Sequence, residues 1–156
     1  MEVVYRYDGS WSGFLSCIFE SYVNHEEPVG FLLQDDPTVT LWDEREVVTH
    51  PAHAQRVERG LEKKTSARFR AEMERAFLTC LEDKELVLYG LIRRGLSEGD
   101  RVRRDLADPA MAKVTLALAK MWTEWDHLKG FVRFSDLEGV LAGEIEPKNR
   151  VLPLLA

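Results

Sequence analysis

Five stretches of this 156-residue chain place apolar side chains at helical spacing, and four of them follow a local start signal. Ser10, a good N-cap, precedes Trp11, Phe14, Leu15, Ile18, Phe19 and Tyr22, which fall at i, i+3, i+4, i+7, i+8 and i+11. Thr49-His50-Pro51 precedes a segment with Ala54, Val57 and Leu61 on one side, proline being tolerated in a first turn. Ser66 precedes Phe69, Met73, Ala76, Phe77 and Cys80, and Asp108-Pro109 precedes Met111, Val114, Leu118, Met121, Trp122, Trp125 and Leu128, with Gly130 as the stop. The fifth stretch, KELVLYGLIRRGL, ends near Gly95 or Gly99. Each stripe must be covered, so helices packed on one another dominate whatever this chain forms.

The opening adds a strand. VVYRY alternates with period two, and the following Gly9-Ser10-Trp11-Ser12-Gly13 comes close to a nucleophile elbow. An elbow needs its serine in third place, where this chain has Trp11, so the stretch reads instead as strand, Asp8-Gly9 turn, Ser10 cap and buried helix. Between the first and second helices the chain is broken by acids and prolines, with VTLW and REVVT as the expected short strands. Near the end, FVRFSDLEGVLAGEIEP alternates on both sides of Leu137-Glu138-Gly139, which predicts two antiparallel strands.

The fold class expected is therefore α+β: a mainly helical single domain with an N-terminal strand and a C-terminal antiparallel hairpin packed on the helices. A chain of this size buries roughly two-thirds of its unfolded surface and needs no staples, so residues 1–156 are read as one domain, or as the N-terminal part of a longer family chain. Cys17 and Cys80 have no metal or redox spacing and are expected as buried free thiols in a reducing compartment. No leader pattern and no membrane-length apolar run is present, which suggests a cytoplasmic location. RVLPLLA finishes on an apolar run, expected either to dock on the domain or to lead into further chain.

Charge is uneven. The formal net charge is −6 and the pI about 5.3, which argues against a protein holding nucleic acid by overall charge. Residues 1–60 carry 4 basic and 11 acidic side chains, residues 61–104 carry 11 and 8, and the remainder 6 and 8. The densest basic run, RRGLSEGDRVRR, holds Arg93, Arg94, Arg101, Arg103 and Arg104 around a glycine-bearing turn. Guanidinium forks match phosphate oxygens, so convergence of these five on one backbone segment would make a nucleic-acid face, whereas Glu98, Asp100 and Asp105 would neutralise them as salt bridges. Lys129 and Arg133 in HLKGFVRF join that candidate set.

Other constellations are weaker. His50 and His53 share one helix face but lack further ligands nearby in sequence, so no metal site is expected. Trp122, Trp125, Tyr89 and Trp42 offer stacking surfaces for unpaired bases, though both helical tryptophans lie on the Leu118 and Met121 stripe and fit core packing. No pair of carboxylates stands out for acid–base chemistry among 27 acids.

Three stretches, YDGSWSGFLSCIFESY, HLKGFVRF and IEPKNRVLPLLA, carry a resemblance. Together with the intervening helices the chain resembles an uncharacterised bacterial family linked to DNA metabolism and DNA repair. Its members are encoded beside a radical SAM protein similar to spore photoproduct lyase, and a related domain extends some uracil-DNA glycosylase-like proteins. The family runs Glu-x-His before its Lys-Gly-Phe element, where this chain has Asp126, with His127 one place on. The family also continues with a His-Phe and arginine-rich segment that this sequence does not contain. The resemblance implies an accessory protein of DNA repair or DNA metabolism that contacts DNA and acts with a radical SAM partner, with no catalysis, cofactor or membrane of its own. The chain lacks the CxxxCxxC motif that would hold a cluster. One alternative is a DNA-directed hydrolase or glycosylase-like enzyme using Asp8, Glu124 or His127. The other is a module that binds only protein.

Overall fold

The structure is a computed structural model and describes residues 1–131, 134–137, 140–143 and 148–150. The chain opens as predicted. Strand β1 (Glu2–Tyr7) runs into a turn in which Gly9 adopts φ +79, a left-handed conformation natural to glycine, and helix α1 (Trp11–Val23) begins directly after Ser10. The Ser10 hydroxyl accepts a hydrogen bond from Gly13 N at 2.9 Å, so the apparent elbow is a helix cap.

The next part departs from expectation. The chain returns as β2 (Glu27–Leu33) and then β3 (Asp43–Glu46), both parallel to β1, in the order β2-β1-β3. VTLW, expected as a strand, is irregular, and only the first residues of REVVT lie in β3. Pro28 conceals β2 from a pattern reader, yet it is tolerated because β2 is an edge strand. β3 reads DERE, a composition depleted in strands, and it forms because its side chains are tied to neighbours.

Two of those ties are specific. Arg45 on β3 donates to Glu26 at 2.9 Å, and Glu26, only 3% exposed, also accepts from the Tyr5 hydroxyl at 2.8 Å. Burial alone would raise the Glu26 carboxyl; the Arg45 and Tyr5 bonds overcome it and hold the group below its ordinary value. Arg6 organises the return loop between β2 and β3. Its guanidinium donates to the carbonyls of Asp36 at 2.7 Å and Thr38 at 2.6 Å, and to Glu44 at 2.7 Å.

The remaining helices are α2 (Pro51–Lys64), α3 (Ala67–Phe77), α4 (Lys84–Glu98), a short α5 (Arg101–Arg104) and α6 (Pro109–Phe131). The buried residues of α2 are Ala54, Val57 and Leu61, and those of α3 are Phe69, Met73, Ala76 and Phe77, as the stripes predict. Ser66 caps α3 by accepting from Phe69 N at 3.2 Å. α3 ends at Phe77, so Cys80 falls beyond the helix and is exposed, contrary to the expectation of two buried thiols; Cys17 is buried. α6 runs one residue past Gly130. Met111, Val114 and Met121 on α6 are buried, while Trp122 is exposed, so the stripe is covered along one half of its width.

The core joins the sheet to the helices. Phe14 lies 5.4 Å from Phe31 and from Phe77 between ring centroids, and Trp11 lies 5.4 Å from Phe77. Offset and tilted contacts of this kind add to the burial of aromatic area. The Tyr7 hydroxyl donates to Glu85 at 2.9 Å, which fastens the first turn of α4 to β1. Strands β4 (Phe134–Leu137) and β5 (Val140–Gly143) pair antiparallel. Residues 138–139, which join them, and 151–156, the expected apolar end, lie outside the described residues.

Candidate nucleic-acid interface

The basic middle of the chain is shaped by two corners held together. Asp100, between α4 and α5, accepts from Ser66 N at 2.9 Å and from the Ser66 hydroxyl at 2.7 Å, between α2 and α3. Its carboxyl stays below the ordinary value, chiefly through these Ser66 bonds, with the charges of Arg104 and Arg103 adding to them. Gly99 caps α4 with φ +72, and its Cα packs so closely on Lys64 that a Cβ there would stand 2.9 Å from the Lys64 carbonyl oxygen. The last turn of α2, with Lys63 and Lys64, is thereby set against α5, with Arg101 and Arg104.

The five predicted arginines have different fates at this corner. Arg94 is paired with Asp108, with Glu98 at 3.3 Å and with Asp105 at 3.9 Å. Arg103 holds Glu72 through two bonds of 3.0 and 3.2 Å. Arg93 donates to the Tyr89 hydroxyl at 3.0 Å and lies 5.0 Å above the Tyr22 ring, turned inward to an aromatic pair. Arg101 and Arg104 are exposed and form no ion pair among the described residues, and the same holds for Lys63 and Lys64. Lys129 lies in the last turn of α6, and Arg133 lies outside the described residues.

The two lysines were missed by sequence reasoning. Lys63-Lys64 is a plain pair at a helix end, favourable there against the helix dipole, and only the Ser66–Asp100 clasp gives it neighbours.

A groove lies on the seam of α2 and α4 beside the end of α1. It has a volume of about 710 Å³ and is lined by Phe19, Tyr22, Val23, Arg56, Val57 and Leu96, with Ser97 at its edge. Tyr22 and Val23 remain 43% and 56% exposed although they stand on a buried helix. Leu96 reaches across the seam to Gly60, where an added Cβ would sit 3.1 Å from its Cδ2.

The groups named for an enzyme are already occupied. Asp8 accepts from Ser10 N, the Ser10 hydroxyl and the Thr49 hydroxyl at 2.9, 2.6 and 2.6 Å. Burial pushes its carboxyl up, but the bonds from Ser10 and Thr49 win and leave it lowered. Glu124 behaves alike: burial is outweighed by the Asn149 side chain and the backbone N–H groups of Lys148 and Asn149. Both carboxyls are thus held below their ordinary values by hydrogen bonds within the fold, and His127 is exposed. His50 and His53 stack with centroids 4.7 Å apart, and His53 also stacks on Phe19 at 4.1 Å. Trp122 and Trp125 form an edge-to-face pair at 5.6 Å with Arg75 over Trp122.

Two of the resembling stretches meet in space. Asn149 accepts from Cys80 N at 2.8 Å, Arg150 N donates to Leu78 O at 2.7 Å, and Arg150 Nη1 donates to Gly9 O at 3.4 Å. The Lys148-Asn149-Arg150 segment thus clasps α6, the α3–α4 link and the β1–α1 turn together. Residues 82–156 match DUF4130, a domain of unknown function. The DUF4130 segment begins two residues before α4 and contains α5, α6, HLKGFVRF and IEPKNRVLPLLA, so likeness to an uncharacterised family holds over that part. The first resembling stretch, in β1 and α1, lies outside it. No curated protein and no solved structure matches the chain.

Proposed function

We propose that this protein is a cytoplasmic accessory component of DNA repair or DNA metabolism, working with a radical SAM-type partner and contacting nucleic acid without catalysing a reaction on it. The observation that carries the nucleic-acid contact is the Ser66–Asp100 clasp, which brings Lys63, Lys64, Arg101 and Arg104 to one exposed corner. Four exposed cations without an ion pair among the described residues, on a molecule of net charge −6, make a confined phosphate-binding spot rather than a general affinity for polyanions. The resemblance to DNA-repair proteins supplies the choice of nucleic acid. The paired arginines 94 and 103 serve the fold in this reading.

Binding to labelled oligonucleotides across a salt series tests it. Affinity is expected to fall with rising salt, and Lys64→Glu with Arg101→Glu to flatten that dependence by about 0.9 per lost duplex phosphate contact. No binding at low salt would remove the proposal.

A protein-only module is favoured by one separate feature. The return loop leaves Val39 91% and Leu41 99% exposed beside half-exposed Trp42, among Asp35, Asp36, Asp43 and Glu44. Apolar groups so placed on a surface mark interaction sites. In that reading a protein partner docks on this face, so Leu41→Glu is expected to abolish its co-purification while substitutions of Arg101, Arg103 and Arg104 leave it intact.

A further inference from the structure

We infer that the α1–α2–α4 groove receives an unpaired nucleobase, so that the nucleic acid held at the basic corner is single-stranded. This rests on the nucleic-acid reading above and specifies its substrate class. Three observations carry it. The groove walls are apolar and aromatic, with the Tyr22 ring exposed at the surface and Phe19, Val57 and Leu96 behind it, and about 710 Å³ is within the range of small-ligand sites. A base offers a π-face of any sequence to such a ring. In a duplex the bases are stacked and paired, and their faces are not available to it.

Arg56, the charged residue among the lining, is exposed and forms no ion pair among the described residues. Two carboxylates on the same helices are held by neighbours, Glu20 by His53 at 3.4 Å and Asn24 at 3.0 Å, and Glu98 by Arg94 at 3.3 Å. A groove that presents an apolar floor and a free guanidinium complements a base with its phosphate.

Helix α2 links the groove to the corner. Arg56, Gly60 and Lys63-Lys64 follow one another at helical spacing along α2, and Lys64 lies about 12 Å from Arg56 along the helix axis. A strand whose base enters beside Tyr22 therefore meets Arg56 first and the Lys64–Arg101 corner next. Arg93 takes a supporting part: its guanidinium lies 5.0 Å from the Tyr22 ring and is anchored on Tyr89, which fixes the plane on which a base would rest.

Fluorescence anisotropy with a labelled oligothymidylate and a blunt duplex of equal length tests the inference. The wild-type protein is expected to prefer the single strand. Tyr22→Ala should weaken single-strand binding by about 5- to 150-fold, the worth of one base–aromatic stack, and leave duplex binding unchanged. Val23→Glu puts a carboxylate in the groove while keeping Tyr22 and its Arg93 partner, and is expected to act in the same direction; it also serves if Tyr22→Ala fails to fold by circular dichroism. Equal affinity for both oligonucleotides, or a single-strand preference untouched by both groove variants, would overturn the inference, and loss of binding in Lys64→Glu/Arg101→Glu would then still uphold the corner. Absence of binding to either oligonucleotide would sink both readings at once.

Discussion

The sheet layer and the α2–α5 corner treat their charges in opposite ways. On the sheet side Arg6 is bonded to three backbone carbonyls and Glu44, and Arg45 is locked on buried Glu26. At the corner, Lys63, Lys64, Arg101 and Arg104 stand exposed with no ion pair among the described residues. The two cations of the sheet layer are thus fixed to its carboxylates, while the net positive middle keeps some of its cations unspent. Local charge counts do not tell which cations are available; the pairing does.

Breaking the tight half should have the largest effect. Arg45→Ala leaves Glu26 with only the Tyr5 hydroxyl in a buried setting, and about 3 kcal/mol of stability is expected to be lost, read from urea unfolding. If the urea midpoint does not move, the sheet layer is not held by this pair.

Acid titration sharpens the comparison next. Glu26, Asp8, Asp100 and Glu124 all have folded-state values below their ordinary 4.5 (Glu) and 3.8 (Asp). The unfolded chain therefore takes up protons first as pH falls, so the stability these groups contribute is complete above about pH 5 and is lost progressively below pH 4.5. Thermal melting across that range should show the decline, and Asp100→Asn should reduce its size; a flat profile would refute the pairing.

A smaller effect separates the arginines. Arg94→Ala and Arg103→Ala are expected to cost about 0.2–1 kcal/mol each, as partly exposed pairs do, with the salt dependence of oligonucleotide binding unchanged. Arg101→Ala and Arg104→Ala should do the reverse, altering the salt dependence while the melting temperature stays in place. The most local expected change is at Arg6: Arg6→Gln should speed proteolytic cleavage between residues 34 and 42, where its guanidinium holds the loop carbonyls.

Much of the helical framework is legible in the residues alone. Ser10 and Ser66 cap where their hydroxyls predict, and the α2 stripe and the α3 stripe as far as Phe77 are buried, because a helix is specified by neighbours three and four positions apart. β2 was not legible and β3 only at its Arg45-Glu46 end, since Pro28 is excused only by an edge position and DERE is a strand only beside β1. Cys80 was misplaced because α3 stops at Phe77 while the apolar period continues. At the candidate interface the sequence named Arg101 and Arg104 but not Lys63, Lys64, Arg56 or Tyr22, whose meaning depends on a seam between helices far apart in the chain.

Local order in the residues was sufficient for the caps, the helical stripes and the opening strand, turn and helix. Helical spacing allows Arg94 its i+4 partner Glu98, but folding alone decided the distant pairs, since Arg103 meets Glu72 across 31 positions and Arg94 meets Asp108 across 14. A charge pair across such separations is set by how helices pack, and no spacing rule along the chain encodes it.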